Sequence, residues 1–275
     1  MTTSALRFFM LVLLLSVPFY LLGATGLRMP KLPNLPASAL MTFIRMVAAV
    51  ILVRRKRGTP AAMLLFEGAL VWRRNARAGW YLIALLFMPV IGLLEFAVLR
   101  WMGTAVPVPQ IAPGFAFVLF LVFFVGAIGE EVGWQGYAYP VLRARLSALR
   151  AAAMLGTAWA LWHVIPFVQL GKSPRWILWH SLNAVVMRVV IVWLFENTRQ
   201  TILVAVIFHA MINVSWALFP IAGSFYDPVI TFILLSLATG PIIVVWGTET
   251  LARFQKTSPV AARPILPKEM PDVRN

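Results

Sequence analysis

The run GFAFVLFLVFFVGAIGEEVG, residues 114–133, is apolar without alternation until two adjacent glutamates interrupt it. About 20 such residues make a helix long enough to cross a hydrocarbon core of about 30 Å. A membrane strand would alternate between apolar and polar positions, and this run does not. Similar runs occur at residues 6–22, 35–53, 80–99, 151–168, 176–195, 201–219 and 229–251. The expected fold is therefore all-α: a polytopic membrane protein with about eight transmembrane helices enclosing a polar intramembrane site. Residues 1–256 read as a single integral membrane domain. Residues 257–275, with four prolines, read as a flexible cytoplasmic tail.

Composition agrees. The 275 residues are 61% hydrophobic and only 12% charged, with a mean hydropathy of +0.86. A soluble domain has roughly 45–50% apolar and about 25% charged residues. The absence of cysteine removes disulfides, thiolate metal sites and cysteine nucleophiles together. A net charge of +15 would suggest nucleic acid in a soluble protein. Here the basic residues flank apolar runs, where they act as topology signals and headgroup contacts. No basic face interleaved with exposed aromatics is present, so no nucleic-acid partner is expected; the expected partners are the bilayer and a protein or peptide in or at the membrane, and the sequence sets no oligomeric state.

The first run begins with one basic residue, Arg7, and has no small-residue cleavage pattern before Arg28, so it reads as an uncleaved anchor. With the N-terminus inside, 17 lysines and arginines fall on inner segments and 5 on outer ones. Arg45 and Arg188 are left within spans. Both termini are thus expected in the cytoplasm. The stretch 60–77 is too short and too charged to cross, and reads as an interfacial or re-entrant segment.

Ionisable groups inside such spans are costly, about 2.5–3.5 kcal/mol for a carboxylate on insertion scales. Glu130 and Glu131 point about 100° apart on a helix. Glu131 and Gln135, four apart, share a face. Two neighbouring carboxylates in low dielectric resist joint ionisation, so one is expected to titrate high and to serve as a general acid or base. His163 lies within the fifth run, one turn after Trp159. His209 and Asn213 stack on one face of the seventh. Each element alone has an ordinary explanation: a helix end meeting water, or interhelical hydrogen bonds worth about 0.6–2 kcal/mol. Together they supply the parts of a water-activating hydrolase. A glutamate takes the proton, histidines hold the water or a metal, and an asparagine donates to the oxyanion.

Other intramembrane proteases are excluded by their motifs. There is no HExxH, no GxSG, and no YD/GxGD aspartate pair; the only aspartates are Asp227 and Asp272. The chain resembles the CPBP family, which comprises the type II CAAX prenyl endopeptidases and their bacterial, Abi-related relatives. That family is marked by EExxxR, FxxxH and HxxxN on an eight-helix membrane fold. Here the motifs read Glu130-Glu131-Val132-Gly133-Trp134-Gln135, Trp159-Ala160-Leu161-Trp162-His163, and His209-Ala210-Met211-Ile212-Asn213. They span a core of approximately residues 80–220.

The resemblance implies an intramembrane endopeptidase in a bacterial inner membrane. Glu130 would activate water, His163 would position it, and His209 and Asn213 would complete the site. Glu131 and Gln135 would support them. Glu130, His163 and His209 also match a His₂Glu zinc set, and the same groups can hold a water without metal. Two positions depart from the pattern. Gln135 replaces arginine, removing a charged partner, and Trp159 replaces phenylalanine, a swap expected to preserve packing. Arg188 is a candidate to restore the missing charge. His180 and Asn183 are candidates for a second polar wall or for plain interhelical bonding. Arg45 is expected to snorkel or to pair with Glu95, and Glu95 and Glu249 read as interfacial charges. The alternative is a non-catalytic membrane protein: a scaffold, a peptide-binding immunity factor or a small transporter.

Overall fold

The computed structural model describes residues 3–27, 37–71, 77–219 and 223–253, all helix, turn or connection with no strand among them. The tail expected to be flexible, 257–275, lies outside the described residues.

The helices are α1 (Thr3–Ala24), α2 (Ile44–Glu67, entered through a 3₁₀ turn at Ala37–Phe43), α3 (Ala78–Trp101) and α4 (Pro113–Gly133). They continue as α5 (Tyr139–Arg143), α6 (Ala148–Gln169), α7 (Pro174–Asn197), α8 (Ile202–Leu218) and α9 (Pro228–Trp246). A π turn at Trp134–Ala138 fuses α4 to α5, so the two form one element, Pro113–Arg143. Each of the eight expected runs contains a helix; residues 35–36 lie outside the described residues, and the last helix ends at Trp246 rather than at 251. Six of the resulting elements are long and apolar enough to cross a membrane. The other two have physical reasons to differ. In α2 the chain breaks at Gly58 (φ 80°, ψ 176°), directly after the basic cluster Arg54–Arg57. The piece beyond it buries Ala61, Ala62 and Leu65 and exposes Met63 and Phe66, as an interfacial segment does. Helix α8 has 17 residues, about 25 Å, but every residue from 201 to 210 is buried. Enclosed by α3, α4 and α7, it is matched to protein rather than to bilayer thickness.

Helix starts follow local chemistry. Ser147 and Ser173 cap α6 and α7 by accepting from Arg150 N and Trp176 N, and Asp227 caps α9 through Val229 N and Ile230 N. The lipid-facing surface is apolar, with Leu93, Leu161, Leu237 and Val244 each 65–84% exposed. The interior inverts this pattern, since Arg45 and Arg188 are both 0% exposed.

Candidate functional site

Close helix contacts bring the two buried arginines to the two glutamates. Gly129 and Gly133 form a small-xxx-small face on α4. A Cβ at Gly133 would lie 2.5 Å from the backbone oxygen of Arg45, and one at Gly129 would lie 2.5 Å from the Phe43 ring. The start of α2 is therefore seated directly on α4. On the other side, a Cβ at Gly156 of α6 would lie 2.8 Å from Val185 Cα and 3.1 Å from Arg188 Cβ. That approach seats α7 with Arg188 turned inward.

Glu130 is held on both oxygens. Arg45 Nη2 lies 2.6 Å from Oε1, and the Thr42 hydroxyl donates to the same oxygen at 3.2 Å. The Trp159 indole N–H donates to Oε2 at 3.1 Å. Arg45 is itself fixed, its guanidinium 3.7 Å from the centroid of the Trp162 ring. Trp162 is tied to α1: its indole N–H donates to Ser16 Oγ, and Tyr20 OH donates to its carbonyl, both at 2.8 Å. Helix α1 is thereby part of the scaffold of the site.

Glu131 has a separate cation. Arg188 Nη1 donates to Oε2 at 2.7 Å, and His209 Nδ1 lies 2.7 Å from Oε1. A carboxylate only accepts, so the proton of a neutral His209 sits on Nδ1 and its Nε2 is an acceptor. That Nε2 is 3.9 Å from Glu130 Oε2. His163 Nδ1 is 2.8 Å from the Trp159 carbonyl, which likewise leaves Nε2 free. The two carboxylates do not meet uncompensated: each has its own guanidinium, and Arg188, the candidate for the missing charge, serves Glu131.

Glu130, His163, His209 and Asn213 all line one cavity of about 720 Å³. Its remaining walls are largely apolar, among them Phe123, Trp159 and Phe167. The carboxamide of Asn213 has no hydrogen bond to another described residue and faces this space. The four residues expected to form the site are brought together from α4, α6 and α8.

Other expectations are corrected. Gln135 does not support the glutamates. It is fully buried, and neither atom of its amide has a hydrogen-bond partner among the described residues. Glu131 is instead taken up by Arg188 and His209. Arg45 pairs with Glu130 and not with Glu95. Glu95 is buried instead, accepting from Asp227 N at 2.6 Å and Thr231 Oγ1 at 2.7 Å. Trp159 does more than pack, because a phenylalanine could not donate to Glu130. Asn183 is no substrate wall: its amide donates to Tyr226 OH and to the Pro228 carbonyl, tying α7 to α9. His180 bonds Tyr226 OH at 2.9 Å and also lines the cavity.

The zinc reading gains no support from the grouping of side chains. Among the described residues no three His, Cys, Asp or Glu side chains converge as a metal site requires. Both oxygens of Glu130 are engaged by donors, whereas Nε2 of His209 and of His163 is left open. Sequence reasoning missed Arg45 and Thr42 as partners of Glu130. The only signal was that Arg45 and Arg188 are two mid-span cations for two mid-span glutamates; the sequence had offered Glu95 as a partner of Arg45.

Comparison with known proteins bears on this same segment. Residues 112–215 match the family model described as type II CAAX prenyl endopeptidase, Rce1-like. A CAAX prenyl protease 2 of Methanococcus maripaludis is 32% identical over 154 residues, 50% of this chain and 56% of that protein. The chain thus spans about half the length of the curated relative it matches.

Proposed function

We infer that this chain, whose site-bearing segment belongs to the CAAX protease family, is an intramembrane endopeptidase that activates water with Glu130. The observation that carries this reading is the 3.9 Å gap between Glu130 Oε2 and His209 Nε2, which opens on the cavity. The gap is too long for a direct hydrogen bond and suits a bridging water. Glu131 and Arg188 fix the His209 tautomer, and the Trp159 carbonyl fixes that of His163. His209 Nε2 is then the acceptor for the second proton of that water, while His163 Nε2 is left as a further acceptor on the cavity wall.

In the reaction, the water oxygen bonds to the scissile carbonyl carbon as Glu130 takes its proton. Asn213 donates to the resulting oxyanion. Collapse breaks the C–N bond, and the proton held by Glu130 passes to the leaving amine. Arg45 holds Glu130 in place through their ion pair. The substrate is a protein or peptide segment within or at the membrane, with a lipidated protein as one class. Both termini are assigned to the cytoplasm from the distribution of lysine and arginine.

The saturation of Glu130 by Arg45, Thr42 and Trp159 favours a second reading, in which the carboxylate is structural and the cavity only binds a peptide. One experiment separates the two. Reconstituted wild-type, Glu130→Ala and Asn213→Ala proteins are compared for cleavage and for peptide binding. Loss of cleavage in both variants, with folded protein retained, supports the endopeptidase. Unchanged binding with no wild-type cleavage supports the alternative.

A further inference from the structure

The chain has three histidines, and His180 lines the same large cavity as His163 and His209. The reaction described above gives it no part. Its ring stands as a wall between two spaces. On its far side lies a smaller cavity of about 40 Å³, whose lining includes Glu95, Tyr226 and Thr231. Tyr226 lines that smaller space and not the large one. His180 Nδ1 bonds the Tyr226 hydroxyl at 2.9 Å, so this nitrogen is turned to the back. The two nitrogens of an imidazole project from different edges of the ring, which turns Nε2 toward the large cavity. There it has no hydrogen bond to another described residue.

The ring is held in this orientation from several sides. Trp176 stacks on it at 4.6 Å and 11°, and Phe167 meets it edge-on at 4.8 Å. Tyr226 is held in turn by the Asn183 amide, which also donates to the Pro228 carbonyl. Support of this kind fixes a polar group for contact with a ligand.

Phe167 also sets the distance to the chemistry. Its ring centroid lies 5.7 Å from that of His163 and 4.8 Å from that of His180. The two histidines are therefore separated by no more than about three residues of extended peptide, at about 3.3 Å each. Every residue of such a peptide brings an N–H and a carbonyl that need partners away from water. The cavity walls are largely apolar, so a fixed ring nitrogen at that distance answers one of these needs.

We propose that His180 is a positioning residue for the substrate. Its Nε2 hydrogen-bonds the backbone of the bound peptide within about three residues of the scissile bond. The group recognised is a backbone amide, so the contact sets the register of the peptide rather than its sequence. The location relative to the scissile bond rests on the endopeptidase reading; the contact itself needs only that the cavity binds a peptide.

The test uses a fluorescent prenylated peptide in which one backbone amide at a time is replaced by an ester. An ester removes the N–H and weakens the carbonyl as an acceptor, so it reports a backbone bond of either polarity. Binding is read in an Asn213→Ala background, where the oxyanion donor is missing and the probe is not consumed. One ester within three residues of the scissile bond should weaken binding at least fivefold when His180 is present. In His180→Gln, whose amide nitrogen takes the place of Nε2, that effect should persist. In His180→Asn, whose amide nitrogen takes the place of Nδ1 and keeps the Tyr226 bond, it should fall below twofold. A purely structural role through Tyr226 gives the opposite order, and that result, or the same ester effect in all three proteins, overturns the proposal. With Asn213 intact, His180→Asn should raise KM at least fivefold and change kcat less than threefold. The expected binding pattern without any cleavage by the protein carrying Asn213 overturns the endopeptidase reading and leaves the His180 contact standing.

Discussion

Arg45 of α2 and Glu130 of α4 form a buried ion pair of 2.6 Å, sealed beneath the Trp162 ring. In low dielectric such a pair holds only if both charges stay compensated. The pair places the one arginine near Glu130 on a different helix from the position where the family motif carries it. The departure at Gln135 is thereby offset from elsewhere in the chain.

Removing one partner should therefore cost far more than removing both. Arg45→Gln is expected to destabilise the protein by about 3–5 kcal/mol, leaving Glu130 buried without a cation. The double variant Arg45→Gln, Glu130→Gln should recover most of that stability and have no activity. Thermal unfolding in detergent, with cleavage assayed in parallel, measures both. A double variant no more stable than Arg45→Gln would show that the pair is not coupled.

Trp159→Phe separates packing from hydrogen bonding. The ring contacts with His163 and His209, at centroid distances of 5.7 and 5.1 Å, survive the change. The N–H donated to Glu130 Oε2 is lost, at a cost of about 1.5–3 kcal/mol for a bond to a charged group. The variant should fold, and its stability should fall within that range. Trp159→Ala should lose more, through the cavity it leaves. Equal stability of wild type and Trp159→Phe would remove the indole bond from the site.

The approach of α2 to α4 admits no side chain at Gly133, since a Cβ would strike the backbone of Arg45. Gly133→Ala should displace Arg45 and reduce cleavage at least tenfold. Gly240→Ala, on α9 with nothing within 4 Å of its Cβ, should leave cleavage unchanged or slightly raise stability. Comparable activity of the two variants would argue that the spacing of α2 and α4 does not govern the site.

Arg188 acts through Glu131 on His209. In Arg188→Gln the carboxylate keeps only the imidazole, so Glu131 and the His209 ring lose the anchor that Arg188 provides. Cleavage should fall at least tenfold. NMR of the labelled histidine should show a changed tautomer or charge at His209. Full activity at normal abundance, with an unchanged His209 signal, would remove Arg188 from this role.

Long apolar runs made the eight helices and the membrane setting legible in the sequence. Four-residue spacing also placed His209 and Asn213 together on one face of α8. Helical periodicity is local, so a single sequence reports it well. The same rule did not yield a bond at Gln135, because Glu131 is bonded by Arg188 and His209 from other helices, which spacing within one helix does not report.

Which cation meets which carboxylate was settled only in three dimensions. The glycines at 129, 133 and 156 are ordinary letters until their neighbours are known. Only the packed helices show that a missing Cβ lets Arg45 approach Glu130 and sets Arg188 beside Glu131. Pairing of this kind depends on distances between segments far apart in the chain, which spacing within a motif does not encode. The sequence by itself determined a polytopic helical protein holding two glutamates, two histidines and an asparagine in apolar surroundings. The tertiary structure decided that each carboxylate meets its own guanidinium, that Nδ1 of His163 and of His209 is engaged, and that Glu130, His163, His209 and Asn213 line one cavity, because those contacts join helices far apart in the chain.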